Sequence, residues 1–149
     1  MAVLRSKHVV ANGMVAPASI HVNDGRIERI AAFDDAPRGA VDYHDFVIMP
    51  GVVDSHVHVN EPGRTEWEGF ETATRAAAAG GITTIVDMPL NSIPPTTTVD
   101  ALHLKANAMR GKLRVDAGLW GGVIPGNRPE LRRMLDSGAL GFKCFLVHS

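Results

Sequence analysis

The chain has 149 residues, 45% of them hydrophobic and 21% charged, with a formal net charge of −1. That profile is of a soluble globular protein able to bury a core, and it excludes a disordered chain. No stretch is rich enough in Lys and Arg to favour a nucleic-acid or anionic-membrane partner.

The N-terminus, Met1 to His8, lacks the apolar run of a signal peptide. No run of about 18 apolar residues follows, so no membrane span is expected. Residues 1–50 carry short β-like runs punctuated by turns. Val9-Val10 leads into Asn12-Gly13, Ser19 to Val22 leads into Asn23-Asp24-Gly25, and Arg26 to Ile30 alternates with period two. Asn-Gly and Asp-Gly supply the positive φ of tight hairpins, so this region is expected to form a small antiparallel sheet.

From Val47 the rhythm becomes strand, helix, strand. A first buried strand is expected within Val47–Val59 and a helix over Glu68–Ala79, stopped by Gly80-Gly81. A β-branched strand over Thr83–Met88 is stopped by Pro89. A helix over Asp100–Arg110 takes Asp100 as its cap, and a third strand covers Val115–Val123. A helix over Pro129–Leu135 has proline in its first turn, and a fourth strand covers Gly141–Val147. The single cysteine, Cys144, alternates away from Lys143 and reads as core packing; one cysteine makes no internal disulfide and fits a reducing cytoplasm. This alternation implies parallel strands with helical crossovers, an α/β fold. An eight-stranded barrel takes about 250 residues, and residues 51–149 supply under half of that. The alternative is an open doubly wound sheet, which four strands could complete.

Asp54-Ser55-His56-Val57-His58 is the sharpest chemical feature. Residues i and i+2 on a strand share a face, so His56 and His58 aim the same way near the strand's C-terminal end. Active sites of parallel sheets lie there, and two imidazoles on one face can share a metal ion. Two incidental histidines are the plainer alternative. Lys143 stands in an apolar strand, where burial would disfavour the ammonium and leave a nucleophilic amine able to capture carbon dioxide as a carbamate. A lysine that snorkels to solvent is the competing reading. Asp54 either orients a ligand or caps the strand end. Asn60 and Asn91 either line a pocket or form turns. Glu61, Arg64, Trp67 and Glu68 read as loop scaffolding, and His8, His21, His44, His103 and His148 as ordinary residues.

Pro50-Gly51-Val52-Val53-Asp54-Ser55-His56-Val57-His58 resembles the first barrel strand of the amidohydrolase superfamily, in its dihydroorotase, hydantoinase and allantoinase branch. Gly80-Gly81-Ile82-Thr83-Thr84 and Gly141-Phe142-Lys143 match that branch in order and approximate spacing. His56 to Arg64 followed by Trp67-Glu68-Gly69, and Asp87 to Asn91, resemble the allantoinases within it. Dihydroorotases carry an arginine where this chain has Asn60, and read Met-Pro-Asn-Thr where it has Met88-Pro89-Leu90-Asn91. Those residues hold a substrate carboxylate, which allantoin lacks.

The resemblance implies the first half of a metal-dependent TIM (β/α)8 barrel, residues 51–149 as four βα units, after part of a small β-sandwich in residues 1–50. It implies two divalent metal ions, zinc by default with manganese or cobalt as alternatives. His56 and His58 would be ligands and Lys143 a bridging N6-carboxylysine, with Asn60 and Asn91 placed to bind substrate. The implied reaction of a full-length protein is metal-dependent hydrolysis of allantoin to allantoate, carried out as a cytoplasmic homotetramer. Further ligands and a proton shuttle would lie past residue 149, so the chain alone is expected to be an inactive, truncated part. The rivals are a dihydropyrimidinase-like or dihydroorotase-like hydrolase, and a non-catalytic homologue acting as an interaction partner.

Overall fold

The computed structural model describes residues 1–146, and its contacts divide the chain into two compact units between Pro50 and Gly51. Val147, the last residue of the expected fourth strand, and His148 lie outside the described residues.

In the first unit, β1 (Ala2–Ala11), β2 (Met14–Asn23) and β3 (Arg26–Ala32) form an antiparallel meander. Its turns are the expected ones. Asn12-Gly13 has φ of 52° and 76°, and Asp24-Gly25 has 48° and 74°. Paired positive φ values match the twist of the flanking strands. The sheet is not purely antiparallel, however. Strands β4 (Val41–Asp42) and β5 (Val47–Ile48) return along the free edge of β1 and pair with it in parallel. Between them the buried Ser6 hydroxyl donates to the carbonyls of His44 and Phe46, satisfying backbone that the interrupted ladder leaves open. Val9, Ala18 and Ile20 form the small core. His21 is buried, with its Nε2 2.9 Å from the Asp35 carbonyl, a structural role in keeping with an ordinary residue.

In the second unit, β6 (Val52–Val57), β7 (Ile82–Asp87) and β8 (Asp116–Leu119) are parallel neighbours, and β9 (Gly121–Gly122) pairs in parallel with β10 (Phe142–Lys143). Helices α1 (Phe70–Ala79), α2 (Val99–Ala108) and α3 (Arg128–Asp136) make the crossovers. The first strand lies within Val47–Val59 as expected, with Val47-Ile48 pairing with β1, but β6 is mostly exposed rather than buried. The third divides at Trp120, whose amide bonds the Asp87 carbonyl while the next amide, of Gly121, bonds that of Gly141. The chain changes ladder partner at that residue.

Helix α1 ends on Gly80-Gly81, with Gly81 at φ 82°. The α2 cap is Thr98, whose hydroxyl accepts from Ala101 N at 3.2 Å, and not Asp100, which lies in the first turn and complements the helix dipole. Phe70, Ile85, Leu102, Leu119 and Met134 centre the larger core. Cys144 is exposed rather than packed, since it lies beyond the two-residue β10. No helix among the described residues is long and apolar enough to cross a membrane.

Asp42 ties β4 to the rest of its sheet. Its carboxylate accepts from His44 N at 2.8 Å and from Arg5 Nε at 2.9 Å. The His44 amide, helped by the Arg5 guanidinium and opposed by desolvation, holds this carboxyl below its ordinary 3.8. A depressed carboxyl adds stability above its unfolded value and loses it as pH falls through the folded one. Asp42→Asn should therefore lower the thermal midpoint near neutral pH, and the gap to the parent should close below pH 3.8. Circular-dichroism melts across that range check it; a gap independent of pH would contradict it.

Candidate metal centre

Parallel strands bring their carboxyl ends to one side of the sheet, and β6 delivers its histidines there. His56 lies in β6 and His58 just past it, with ring centroids 5.3 Å apart and planes inclined by 47°. Asp54 Oδ1 accepts from the His56 main-chain amide at 3.0 Å, so it fixes the strand end through the backbone. Asn91, in the loop after β7, sets its Oδ1 2.7 Å from His58 Nδ1. With the carbonyl oxygen accepting, Nδ1 carries the proton and Nε2 keeps its lone pair, the tautomer a metal-binding imidazole requires.

Lys143, at the end of β10, places Nζ 3.2 Å from His56 Nε2. In a flat sheet, strands three positions apart would be about 14 Å from each other, at about 4.8 Å per step. The two ladders, β6-β7-β8 and β9-β10, are therefore strongly inclined toward one another, with these side chains on the concave face between them. Lys143 is half-buried, not fully desolvated as expected, because β10 is only two residues long and its end is open. His56 and His58 are exposed.

Asn60 is buried and acts through its main chain, donating to Glu68 O at 2.9 Å and accepting from Arg64 N at 3.0 Å. Of the two asparagines, Asn91 is the one joined to a histidine of the site. The residues read as scaffolding hold the same loop. Glu61 Oε2 accepts from Phe70 N at 3.0 Å, its Oε1 pairs with Lys112, and the Arg64 guanidinium lies over the Trp67 ring.

Two features escaped the sequence reading. Trp120 spans the concave face, its Nε1 donating to Ser55 O at 2.9 Å while its ring lies on Gly141. A Cβ on Gly141 would come within 2.4 Å of that ring. The signal available was a tryptophan flanked by glycines on a strand, with Gly141 two residues before Lys143. The second is a buried ion pair, Asp87 with Lys105, behind the loop that follows His58. Burial pushes the Asp87 carboxyl up and the Lys105 amine down, each opposed by the partner's charge.

Among the described residues no three of His, Cys, Asp and Glu converge as a cation site. The third group here is the Lys143 amine. Two imidazole nitrogens, one held in its ligating tautomer, fit a borderline-soft divalent cation such as zinc. A lysine fits beside them only as a carbamate, which exchanges an N–H donor for two anionic oxygens.

The sequence profile of the Amidohydrolase family matches residues 47–146. The allantoinase of Streptomyces avermitilis is 54% identical over 150 residues, covering 99% of this chain and 34% of that protein. The mitochondrial allantoinase of Aquarana catesbeiana is 52% identical over 152 residues, covering 100% of this chain and 31% of its own length. The solved structure of L-hydantoinase (dihydropyrimidinase) from Arthrobacter aurescens matches with a TM-score of 0.86 at 38% identity, covering 100% of this chain and 34% of that one. This chain thus spans about a third of the length of the curated relatives it matches. The barrel expectation holds over the open sheet: the solved neighbours are hydantoinases of the TIM-barrel type.

The Trp120 contact can be tested directly. Gly141→Ala should force the indole off β10 and cost about 1–3 kcal/mol, as overpacking does. Trp120→Phe, which keeps a ring but loses the bond to Ser55 O, should cost about 1 kcal/mol. Urea denaturation of both variants measures this; equal stability of parent and Gly141→Ala would show that the ring does not lie there.

Proposed function

Because this chain belongs to the amidohydrolase family, we propose that it forms the metal-binding first part of a barrel that hydrolyses allantoin to allantoate. The observation that carries the reading is the meeting of His56 Nε2 and Lys143 Nζ at 3.2 Å beside His58, itself oriented by Asn91. His56 and His58 would hold one of two divalent ions, zinc by default, and Lys143 would bridge both as its carbamate. Forming the carbamate joins the neutral amine nitrogen to the carbon of carbon dioxide, and one N–H proton leaves to water. Bound metal would supply Lewis acidity toward the ring carbonyl and activate water near neutral pH.

The chain's own residues do the rest of the work assigned here. Asn91 holds the proton on His58 Nδ1, and Trp120 braces β6 against β10 below the site. With Oδ1 committed to His58, Asn91 would meet a substrate through Nδ2. Asn60 would shape the loop over the pocket through its main-chain bonds to Glu68 and Arg64. Asn60 and Leu90-Asn91 replace the carboxylate-binding residues that dihydroorotate needs, which favours an uncharged hydantoin ring. Relatives named allantoinase at 52–54% identity support the same choice. The single cysteine fits a cytoplasmic protein, and the family resemblance supports a homotetramer.

A chimera tests this reading. Residues 1–149 replace the aligned third of the Streptomyces avermitilis allantoinase, and allantoate formation is assayed. The chimera should turn over allantoin at a kcat/KM at least tenfold above that for dihydroorotate or dihydrouracil. Equal or better use of either rival would overturn the substrate assignment. His56→Ala and His58→Ala should each lose bound metal and at least the roughly 100-fold in activity that even an outer-shell partner can cost. Lys143→Ala should be inactive and regain part of its rate with an added short-chain carboxylate. Full metal content with normal turnover in any of the three would remove that residue from the site.

A further inference from the structure

The buried Asp87–Lys105 pair is expensive to keep. Both side chains are about 1% exposed, and taking two charges out of water costs several kcal/mol per ion before their attraction offsets it. Apolar side chains of similar size would fill the same space with no such penalty. The pair's bonds show what the charges do that apolar groups could not. Asp87 Oδ1 accepts from Val59 N at 2.6 Å, and Lys105 Nζ donates to Val59 O at 3.3 Å. The peptide units on both sides of Val59, the residue after His58, are thus held from one point. Lys105 Nζ also donates to Ser92 Oγ at 3.1 Å, and Ser92 follows Asn91. The two residues that meet as His58 Nδ1 and Asn91 Oδ1 therefore each sit one position before a segment gripped by the same ion pair.

We propose that Asp87 and Lys105 are positioning residues that set the spacing of the His58 and Asn91 loops, and so the ligating tautomer of His58. The proposal rests on the reading of His58 as a metal ligand. It also explains why a lysine, with three donors on one nitrogen, stands in the interior of α2. It bridges two loops and a carboxylate at once.

The test uses the whole 149-residue chain, metal-free and then titrated with cobalt(II). The double variant Asp87→Asn/Lys105→Met removes both charges and the Lys105 bonds, while the asparagine can still accept from Val59 N. Replacing both members avoids a lone buried charge, so its thermal midpoint should stay near the parent's. Nitrogen-15 NMR of the His58 ring should then show the loss of the fixed Nδ1–H form, and cobalt(II) affinity should fall at least tenfold. Ser92→Ala cuts the Lys105–Ser92 bond, together with the Ser92 hydroxyl's own bond to Pro94 O at 3.2 Å, and should move both readouts in the same direction by a smaller amount. It decides the matter if the double variant does not fold. An unchanged His58 ring in a folded double variant, or in Ser92→Ala if the double variant fails, overturns the positioning role. A parent that binds no cobalt(II), or a His58→Ala variant that binds it equally well, overturns the ligand reading instead. The ring tautomer, read without metal, still tests the positioning.

Discussion

The curl of the second unit is the constraint on which the site depends. Lys143 and His56 come from the outer strands of two successive ladders, β9-β10 and β6-β7-β8, and only a strong bend between them brings Nζ and Nε2 to 3.2 Å. The third and fourth strands and their neighbours approach closely, and glycine makes room for the contacts. A Cβ on Gly118 would meet Leu140, one on Gly121 would meet Phe142 and Met134, and one on Gly141 would meet Trp120, all under 3.0 Å. The glycines that weaken the third strand as a β-former are what let the fourth strand and the indole approach. Trp120 then fills the space they leave and returns a hydrogen bond to β6 at Ser55, next to His56.

What could be read from sequence was local or strictly periodic. Asn12-Gly13 and Asp24-Gly25 announce hairpins because their backbone demand is met within two residues. His56 and His58 announce a shared face because strand period needs no partner to define it. The parallel strands β4 and β5 were invisible, since two residues carry no period and their pairing depends on β1, over thirty residues away. The α2 cap went to Asp100 on composition, whereas the hydroxyl that reaches back to an amide belongs to Thr98. Lys105 was missed for a related reason. On a helix a lysine reads as solvent-facing, and its burial is set by Asp87 eighteen residues earlier in the chain.

Lys105 and Lys143 have opposite surroundings, and the contrast bears on how the site works. Lys105 has an anion, a carbonyl and a hydroxyl around its nitrogen, so its bonds are satisfied in the interior. Lys143 meets the His56 imidazole at the half-open end of a strand. An N–H of its amine donated to His56 Nε2 would use the lone pair that a cation would need. Lys143 in that form competes with metal for His56. Conversion to a carbamate eases the competition, because an N–H donor is exchanged for two anionic oxygens that are themselves donors to a cation. On the proposed reading, carboxylation of Lys143 and metal binding at His56 therefore favour one another, each removing what opposes the other. The His58 side, held by Asn91 and the buried ion pair, requires no such conversion and is organised by the fold alone.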